Sequence, residues 1–318
     1  MLSKEIPIFF SIDDAYAPFL DVALGSAIKN SSVKRNYRAI ILHKGLSEEN
    51  IKRLSKNERD NFKIDFVPMK NGLESITDIV SNRLRHDTFT LTIYFRLFIA
   101  DMFPEYDKAI YIDSDVVIPG DIAELFDTDI GDNYIGACAD ISANDVPILS
   151  EYMEKVVGVN PSQYINSGVL LMNLSKLRDV HFSSHFLSLL DTYHFDSVAP
   201  DQDYINAICN GKIYYLHKAW NTMPNERCEI LKNPKLIHYN LFSKPWCRDG
   251  VQYEEVFWEY ADKSDYKEEI KRIKEYNVRE KKNAGEEGIS ILINRAKNII
   301  SNEITMAKLS LEGVEIRL

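Results

Sequence analysis

The sequence predicts an α/β fold, a sheet flanked by helices, and three observations predict it. Strand-like and helix-like segments alternate from the N-terminus to residue 69. Two acidic pairs each come directly after a strand-like run. The composition, 45% hydrophobic and 27% charged, is that of a globular chain able to bury a substantial core.

The first apolar run is IPIFFSI (6–12), and APFLDVALGSAIKNSS (17–32) has helical spacing. YRAIILH (37–43) reads as a second strand, SEENIKRLSKNER (47–59) as a helix and FKIDFVPM (62–69) as a third strand. This βαβαβ order implies parallel strands with helices on the faces. Ligands of such sheets collect at the carboxyl ends of the strands. Asp13 and Asp14 follow the first strand, and Asp113 and Asp115 follow KAIYI (108–112), so both pairs are predicted to face one crevice.

FTLTIYFRLFIADMF (89–103) is the most apolar window, but Arg96 interrupts it. It also falls short of the roughly 20 residues that span a bilayer, so no transmembrane segment is expected. YIGACAD (134–140) reads as a strand, VPILSEYMEKVVG (146–158) as a helix and GVLLMNL (168–174) as a buried strand. HFSSHFLSLLDTYH (181–194) is helical, DQDYINAICNG (201–211) starts another helix and KIYYLH (212–217) is a strand.

Near residue 262 the composition changes. Residues 263–318 carry a net charge of +2 and no Pro or Trp, whereas residues 1–262 carry −12. We therefore divide the chain into a main domain over 1–262 and a helical tail over 263–318. Within the tail, ISILINRAKNII puts Ile289, Leu292, Ile293, Ala296, Ile299 and Ile300 on one helical face. That face can lie on the cytoplasmic membrane surface, pack on the main domain or meet a partner chain. The small charge and the missing Trp anchor weaken the first option.

The net charge of −10 argues against a general nucleic-acid binder, which needs a basic surface to neutralise phosphates. An acidic chain that handles phosphates needs a metal or a local positive pocket. Cys138, Cys209, Cys228 and Cys247 form no CxxC pair and are read as reduced thiols of a cytosolic protein. IPIFFSI is too short for a signal-peptide core.

Two carboxylates a few ångströms apart repel by roughly 4 kcal/mol at a surface-like dielectric, so the D-x-D at 113–115 calls for a compensating charge. A divalent cation supplies it and leaves positions for water or phosphate oxygens. His238, after the short apolar run of KLIHYN, is a suitable further ligand for a first-row ion. Lys244 lies six residues on and adds a cation in the same loop. Arg96 sits in an otherwise apolar segment read as a helix, and there it needs either a buried acid or a ligand as partner. Asp201 stands before the helical-looking DYINAI and reads as an N-cap as well as a candidate site residue. His43, His194 and His217 have no acidic cluster near them in sequence and are read as structural. The aromatics of KIYYLHKAW are read as core and rim.

Six segments in order, FFSIDDAYAPFL, TIYFRLFIAD, AIYIDSDVVIPGDIAELFDTDIGDNYIGAC, YINSGVLLMNL, PDQDYIN and HYNLFSKPW, resemble glycosyltransferase family 8 over residues 6–262. Within that family the similarity is to bacterial lipopolysaccharide galactosyl- and glucosyltransferases. The resemblance implies a GT-A domain with a mixed sheet, a UDP-sugar donor, Mn²⁺ or Mg²⁺, and transfer with retention. It implies that Asp113, Asp115 and His238 hold the metal, with Ser114 in the donor site between the aspartates. It places Asp13 and Tyr16 on the uracil, and Arg96 and Lys244 near the diphosphate and sugar. Asn166, Asp201 and Gln202 come around the transferred sugar, and Asp140 on the acceptor side. The acceptor is then a glycan or glycolipid, with the enzyme in the cytoplasm or peripheral to its membrane, and a homo-oligomer is compatible with the reading.

Two positions depart from the pattern. Ala15 stands where relatives often have Asn, and Leu241 where a glycine lets the backbone approach phosphates. Two other functions fit parts of the sequence. IYIDSDVV also matches a haloacid-dehalogenase-like phosphatase, with Asp113 as nucleophile and Asp115 as acid/base. That motif usually opens such chains, and here about a hundred residues of βαβαβ come first. A sugar-nucleotide-binding relative without turnover is the second alternative, because of Ala15 and Leu241.

Overall fold

The computed structural model describes residues 5–69, 76, 91–144, 146–226, 229–280 and 284–318. It opens with β1 (Ile6–Ile12), α1 (Ala17–Asn30), β2 (Tyr37–His43), α2 (Glu48–Ser55) and β3 (Phe62–Pro68). Pro18 sits in the first turn of α1, where no backbone N–H is needed. The Ser47 side chain caps α2 by accepting from the Asn50 N–H. A 3₁₀ stretch, Leu91–Phe98, leads into α3 (Ile99–Met102). Then come β4 (Lys108–Ile112), β5 (Val116–Val117), α4 (Ile122–Phe126), β6 (Ile135–Ala139), α5 (Ile141–Asn144) and α6 (Pro147–Tyr152). The chain continues through β7 (Ile165–Asn173), α7 (Leu174–Asp179), α8 (Phe182–Tyr193), α9 (Pro200–Ile208), β8 (Ile213–Tyr215) and β9 (Ile237–His238). It closes with α10 (Glu254–Ala261), α11 (Lys267–Glu280), α12 (Ala284–Ile300) and α13 (Met306–Leu311).

The main sheet has the order β3-β2-β1-β4-β7-β6-β8. β1, β2 and β3 are parallel, as the βαβαβ pattern predicts, with Ile6 opposite Tyr37 and Tyr37 opposite Phe62. β6 runs antiparallel to β7, which makes the sheet mixed. β5 and β9 form a separate two-stranded ladder.

The chain forms two compact units. The first comprises Met1–Met69, Ala109–Asp129 and His217–Glu286. Its core is set by β1, where Ile6, Ile8, Phe9 and Phe10 are all buried, as in a strand covered on both faces. The second comprises Lys70–Lys108, Ile130–Leu216 and Glu287–Leu318. Its core gathers β7 with an aromatic cluster in which Phe186 meets Tyr204 edge to face at 4.9 Å.

Several elements differ from the sequence expectation. The helix expected over 146–158 is α6 followed by a π-helical stretch, Met153–Val157. It ends at Gly158, whose φ of 81° is the left-handed region glycine adopts freely. The segment holding Arg96 is mostly 3₁₀ rather than α-helical, and residues 89–90 of the apolar window lie outside the described residues. Among the described residues the tail forms three helices. On α12, Leu292, Ala296 and Ile299 are buried, while Ile289 is exposed. Arg295 is also buried there, bonded to Asp196 Oδ1 and the Ser197 carbonyl, each at 2.7 Å.

Among the described residues no helix is long and apolar enough to cross a membrane. Cys138 and Cys209 are buried thiols, and burial pushes Cys138 up to about 12. Cys228 lies outside the described residues.

Candidate active site

In the first unit, β1 and β4 are parallel neighbours, with Ile8 opposite Ile110 and Phe9 opposite Tyr111. Asp13 and Asp113 therefore leave the sheet at the same edge. The two acidic pairs are not equivalent, however. Asp13 is exposed, and its Oδ1 accepts from the Tyr16 N–H at 3.2 Å. Asp14 turns to α2, accepting from the Ser47 N–H at 2.8 Å and Asn50 Nδ2 at 2.9 Å. Burial opposes ionisation of Asp14, but these hydrogen bonds hold its carboxyl below the usual range. Asp14 thus belongs to the start of α2, which corrects the expectation that both members of the first pair face the crevice.

The D-x-D meets His238 through the two-residue ladder. β5 follows Asp115 directly, and its Val116 pairs antiparallel with His238 of β9. The Tyr239 N–H donates to the Asp115 carbonyl at 2.9 Å. His238 Nε2 then lies 3.2 Å from Asp115 Oδ1 and 3.8 Å from Asp113 Oδ2. Ligand atoms of all three residues lie within 4.8 Å of one another. The buried Tyr111 hydroxyl fixes Asp113 by donating to Oδ1 at 2.9 Å. Ser114, between the aspartates, is buried.

The donor set fits a divalent ion. His238 Nδ1 is 3.0 Å from Asn221 Oδ1. An amide oxygen can only accept, so that contact places a proton on Nδ1 and leaves Nε2 as the ring nitrogen turned toward the aspartates. Two carboxylates and a neutral imidazole are hard and borderline ligands suited to Mn²⁺ or Mg²⁺.

Lys244 is already in the cluster. Its Nζ pairs with Asp115 Oδ2 and donates to the Tyr239 carbonyl at 2.8 Å. Burial works against both charges. The Lys244 charge nonetheless holds the Asp115 carboxyl far below its usual range, and Asp115 in turn holds Lys244 above its own. Tyr16 is partly exposed, with its ring 5.6 Å from that of Phe19. Leu241, the residue in the glycine position, has φ 49°, so the loop keeps a left-handed backbone although a leucine occupies it.

The second unit holds the remaining predicted residues in one network. The β6/β7 register shifts between Ala137 and Ala139, a bulge of the kind that re-aims side chains at a sheet end. Beside it, Asp140 Oδ2 accepts from Asn166 Nδ2 and from Gln202 Nε2, each at 3.1 Å. The other oxygen accepts from the Ser142 N–H at 3.0 Å and from the Ser142 hydroxyl. Gln202 Oε1 accepts from the Ser167 N–H at 3.0 Å, so both ends of its amide are engaged. Arg96 pairs with Asp201, Nε to Oδ2 at 3.2 Å, and its Nη1 donates to the Ser167 carbonyl at 2.7 Å. The arginine and Asp201 are each 4% exposed, so the buried acid that Arg96 requires is Asp201.

Asp201 is not the N-cap of α9. The helix starts at Pro200, and Asp203 Oδ2 accepts from the Ala199 N–H at 3.3 Å. Asp203 is fully enclosed by the hydroxyls of Tyr152, Tyr164 and Ser197. Burial raises its carboxyl, against the pull of those donors.

Three site-forming residues escaped sequence reasoning. Ser167 joins Arg96, Asp201 and Gln202, its hydroxyl donating to Asp201 Oδ2 at 3.1 Å. Asn221 orients His238. Asn206 pairs its amide with the Ile165 N–H at 2.7 Å and carbonyl at 2.9 Å, tying α9 to β7 as a strand neighbour would. Ser167 and Asn206 lie within motif segments that could have flagged them, and nothing in the sequence around Asn221 does so. His43, His194 and His217 have backbone roles: His43 Nδ1 accepts from the Leu46 N–H, His194 ends α8 in the left-handed region, and His217 caps a 3₁₀ turn. Trp220 is core, and Tyr214 and Tyr215 are on the rim.

The mixed seven-stranded sheet and its solved neighbours put the chain in the GT-A class of glycosyltransferases. The galactosyltransferase LgtC, solved in complex with donor and acceptor sugar analogs, is similar to this chain with a TM-score of 0.68 and 28% identity. The likeness covers 82% of this chain and 96% of that one. The chain belongs to glycosyl transferase family 8, whose sequence model matches residues 7–250. A Haemophilus influenzae protein with a provisional glycosyltransferase name is 30% identical over 238 residues, covering 74% of this chain and 68% of its own length. The lipopolysaccharide 1,2-glucosyltransferase of Escherichia coli is 28% identical over 208 residues, 59% of this chain and 60% of that enzyme.

Proposed function

We propose that the protein is a retaining, metal-dependent hexosyltransferase. It moves glucose or galactose from a UDP-sugar to a glycan or glycolipid acceptor in cell-surface polysaccharide or lipopolysaccharide synthesis. The observation that carries this reading is the convergence of Asp113, Asp115 and His238, with Asn221 keeping the imidazole in its ligating tautomer. Family membership and the names of the LgtC and Escherichia coli relatives support the sugar chemistry and the acceptor class. In this reading residues 1–262 are the transferase domain and 263–318 its helical extension, and the enzyme works in the cytoplasm on cytoplasmic UDP-sugar.

Asp113, Asp115 and His238 hold Mn²⁺ or Mg²⁺, and Ser114 lines the donor site. When bound, the ion supplies Lewis-acid stabilisation of the charge that develops on the departing diphosphate. Lys244 shares its ammonium between Asp115 and the diphosphate, a second preorganised positive contact. Asp13 and Tyr16 hold and cover the uracil. Arg96 neutralises Asp201, so that the pair meets the sugar without net charge. Asn166, Asp201 and Gln202 position the transferred sugar, and Asp140 lies on the acceptor side.

Front-face transfer accounts for retention better than double displacement. Gln202 is an amide, a weak nucleophile, and both of its polar atoms are held by Ser167 and Asp140. A screen of UDP-sugar hydrolysis with and without Mn²⁺ tests the reading. UDP-glucose or UDP-galactose is hydrolysed only with the ion, and Asp115→Asn lowers turnover at least about a hundredfold, as for loss of one preorganised charge contact. Equal turnover in chelator, or an unimpaired Asp115→Asn enzyme, refutes it.

A further inference from the structure

α11 lies beyond residue 250, where the family match ends, yet it is fastened into the first unit along its length. At its start the buried Tyr266 donates to Asn50 Oδ1 of α2 at 2.8 Å, and the Arg53 guanidinium lies 3.4 Å from the Tyr266 ring centroid. From residue 266 to residue 277 the helix advances about 16 Å. There Asn277 Nδ2 donates to the Trp246 carbonyl at 2.9 Å and lies 3.8 Å from Cys247 Sγ. One turn earlier on the same face, Lys274 Nζ pairs with Asp249 Oδ1 at 2.8 Å.

These contacts fall on the loop that carries Lys244. The Cys247 N–H donates to the Lys244 carbonyl at 2.9 Å. Trp246 is buried and stacked on Phe19, with centroids 4.0 Å apart, and Lys244 Nζ stands 5.4 Å from the Trp246 ring centroid. A buried loop carbonyl needs a donor, and at Trp246 the side chain of Asn277 supplies one.

We propose that α11 is a strut for the 241–250 loop, and that Asn277 is a positioning residue that sets where the Lys244 ammonium stands. The proposal rests on the reading of Lys244 as a diphosphate contact. It also assigns to a helix outside the family-matched segment a role in nucleotide affinity.

The test combines amide hydrogen exchange of the metal-free, nucleotide-free full chain with a double-mutant cycle for UDP binding in Mn²⁺. Asn277→Ala is expected to speed exchange across residues 245–249 about fivefold, the effect of one lost hydrogen bond, while β1 and β2 exchange as before. It is expected to weaken UDP binding about fivefold in the wild-type background and less than twofold when Lys244→Ala is already present. Asp249→Asn, which weakens the outer Lys274 contact while leaving Lys274 on Glu254 and Trp258, gives the same pattern at smaller size and serves if Asn277→Ala folds poorly. Unchanged exchange in the loop, or equal loss of UDP affinity in both backgrounds, overturns the proposal. A wild-type chain that binds no UDP in Mn²⁺ overturns the functional reading instead, while the exchange result still decides the strut.

Discussion

Replacing Arg96 by methionine removes the cation from a pair whose members are each 4% exposed. Asp201 then keeps the Ser167 hydroxyl at 3.1 Å, but its charge loses the guanidinium 3.2 Å away. Breaking a buried ion pair from one side costs about 3–5 kcal/mol, because a charge is left without compensation. The Ser167 carbonyl also loses its 2.7 Å donor, worth about 1 kcal/mol. Arg96→Met is therefore expected to destabilise by about 4 kcal/mol in urea unfolding at pH 7.5. Adding Asp201→Asn removes the buried carboxylate charge and leaves an amide oxygen able to accept from Ser167. The double variant should thus recover about 2 kcal/mol and be more stable than Arg96→Met alone. If the two losses simply add, or if Arg96→Met costs less than about 1 kcal/mol, the pair is not the buried unit described here.

Two further outcomes follow from the first unit. Leu241→Gly is expected to stabilise by about 0.5–1 kcal/mol, since relief of a left-handed leucine, about 1–2 kcal/mol, outweighs the added backbone entropy of glycine. Differential scanning calorimetry should show a Tm higher by about 1–3 °C, and a lower Tm contradicts the strain assigned to φ 49°. Burial keeps the folded-state pKa of His43 below its ordinary value, with the Asp14 carboxylate opposing. The unfolded chain then binds the proton more readily. The stability it contributes is complete above about pH 6.5 and is lost as pH falls toward the folded pKa, by at most about 1.4 kcal/mol per pH unit. His43→Asn, whose Oδ1 can still accept from the Leu46 N–H, should flatten the decline in urea midpoint between pH 7 and 5, and identical slopes exclude the effect.

The parts of the site that were legible in the sequence are those written in local pattern. Asp113 and Asp115 stand directly after an apolar strand, and the βαβαβ order places that strand's carboxyl end beside the end of β1. His238 was legible as a ligand type after a short apolar run, but its meeting with Asp115 depends on two strands of two residues each, too short for any periodicity to show. Ser167 sits inside an apolar strand and Asn206 inside a helix, and neither residue type there announces that it bonds another element. The cap reading of Asp201 fails because the helix begins at Pro200, two residues earlier than a cap at 201 requires. Asp14 shows the reverse error: an acidic pair expected to face the crevice supplies one carboxylate to a helix start.

Asp21 on α1 is buried, and accepts from Asn57 Nδ2 and Ser264 Oγ, each at 2.6 Å, and from the Asp265 N–H at 3.2 Å. Two of these three donors come from just past residue 262, where the charge balance of the chain changes. An exchange of C-terminal extensions between relatives must therefore carry the hydroxyl at 264 together with the acid at 21, or leave a buried carboxylate one donor short. Drift in the extension is to that extent yoked to the first helix of the fold, and a hybrid cut at the compositional seam should inherit the mismatch.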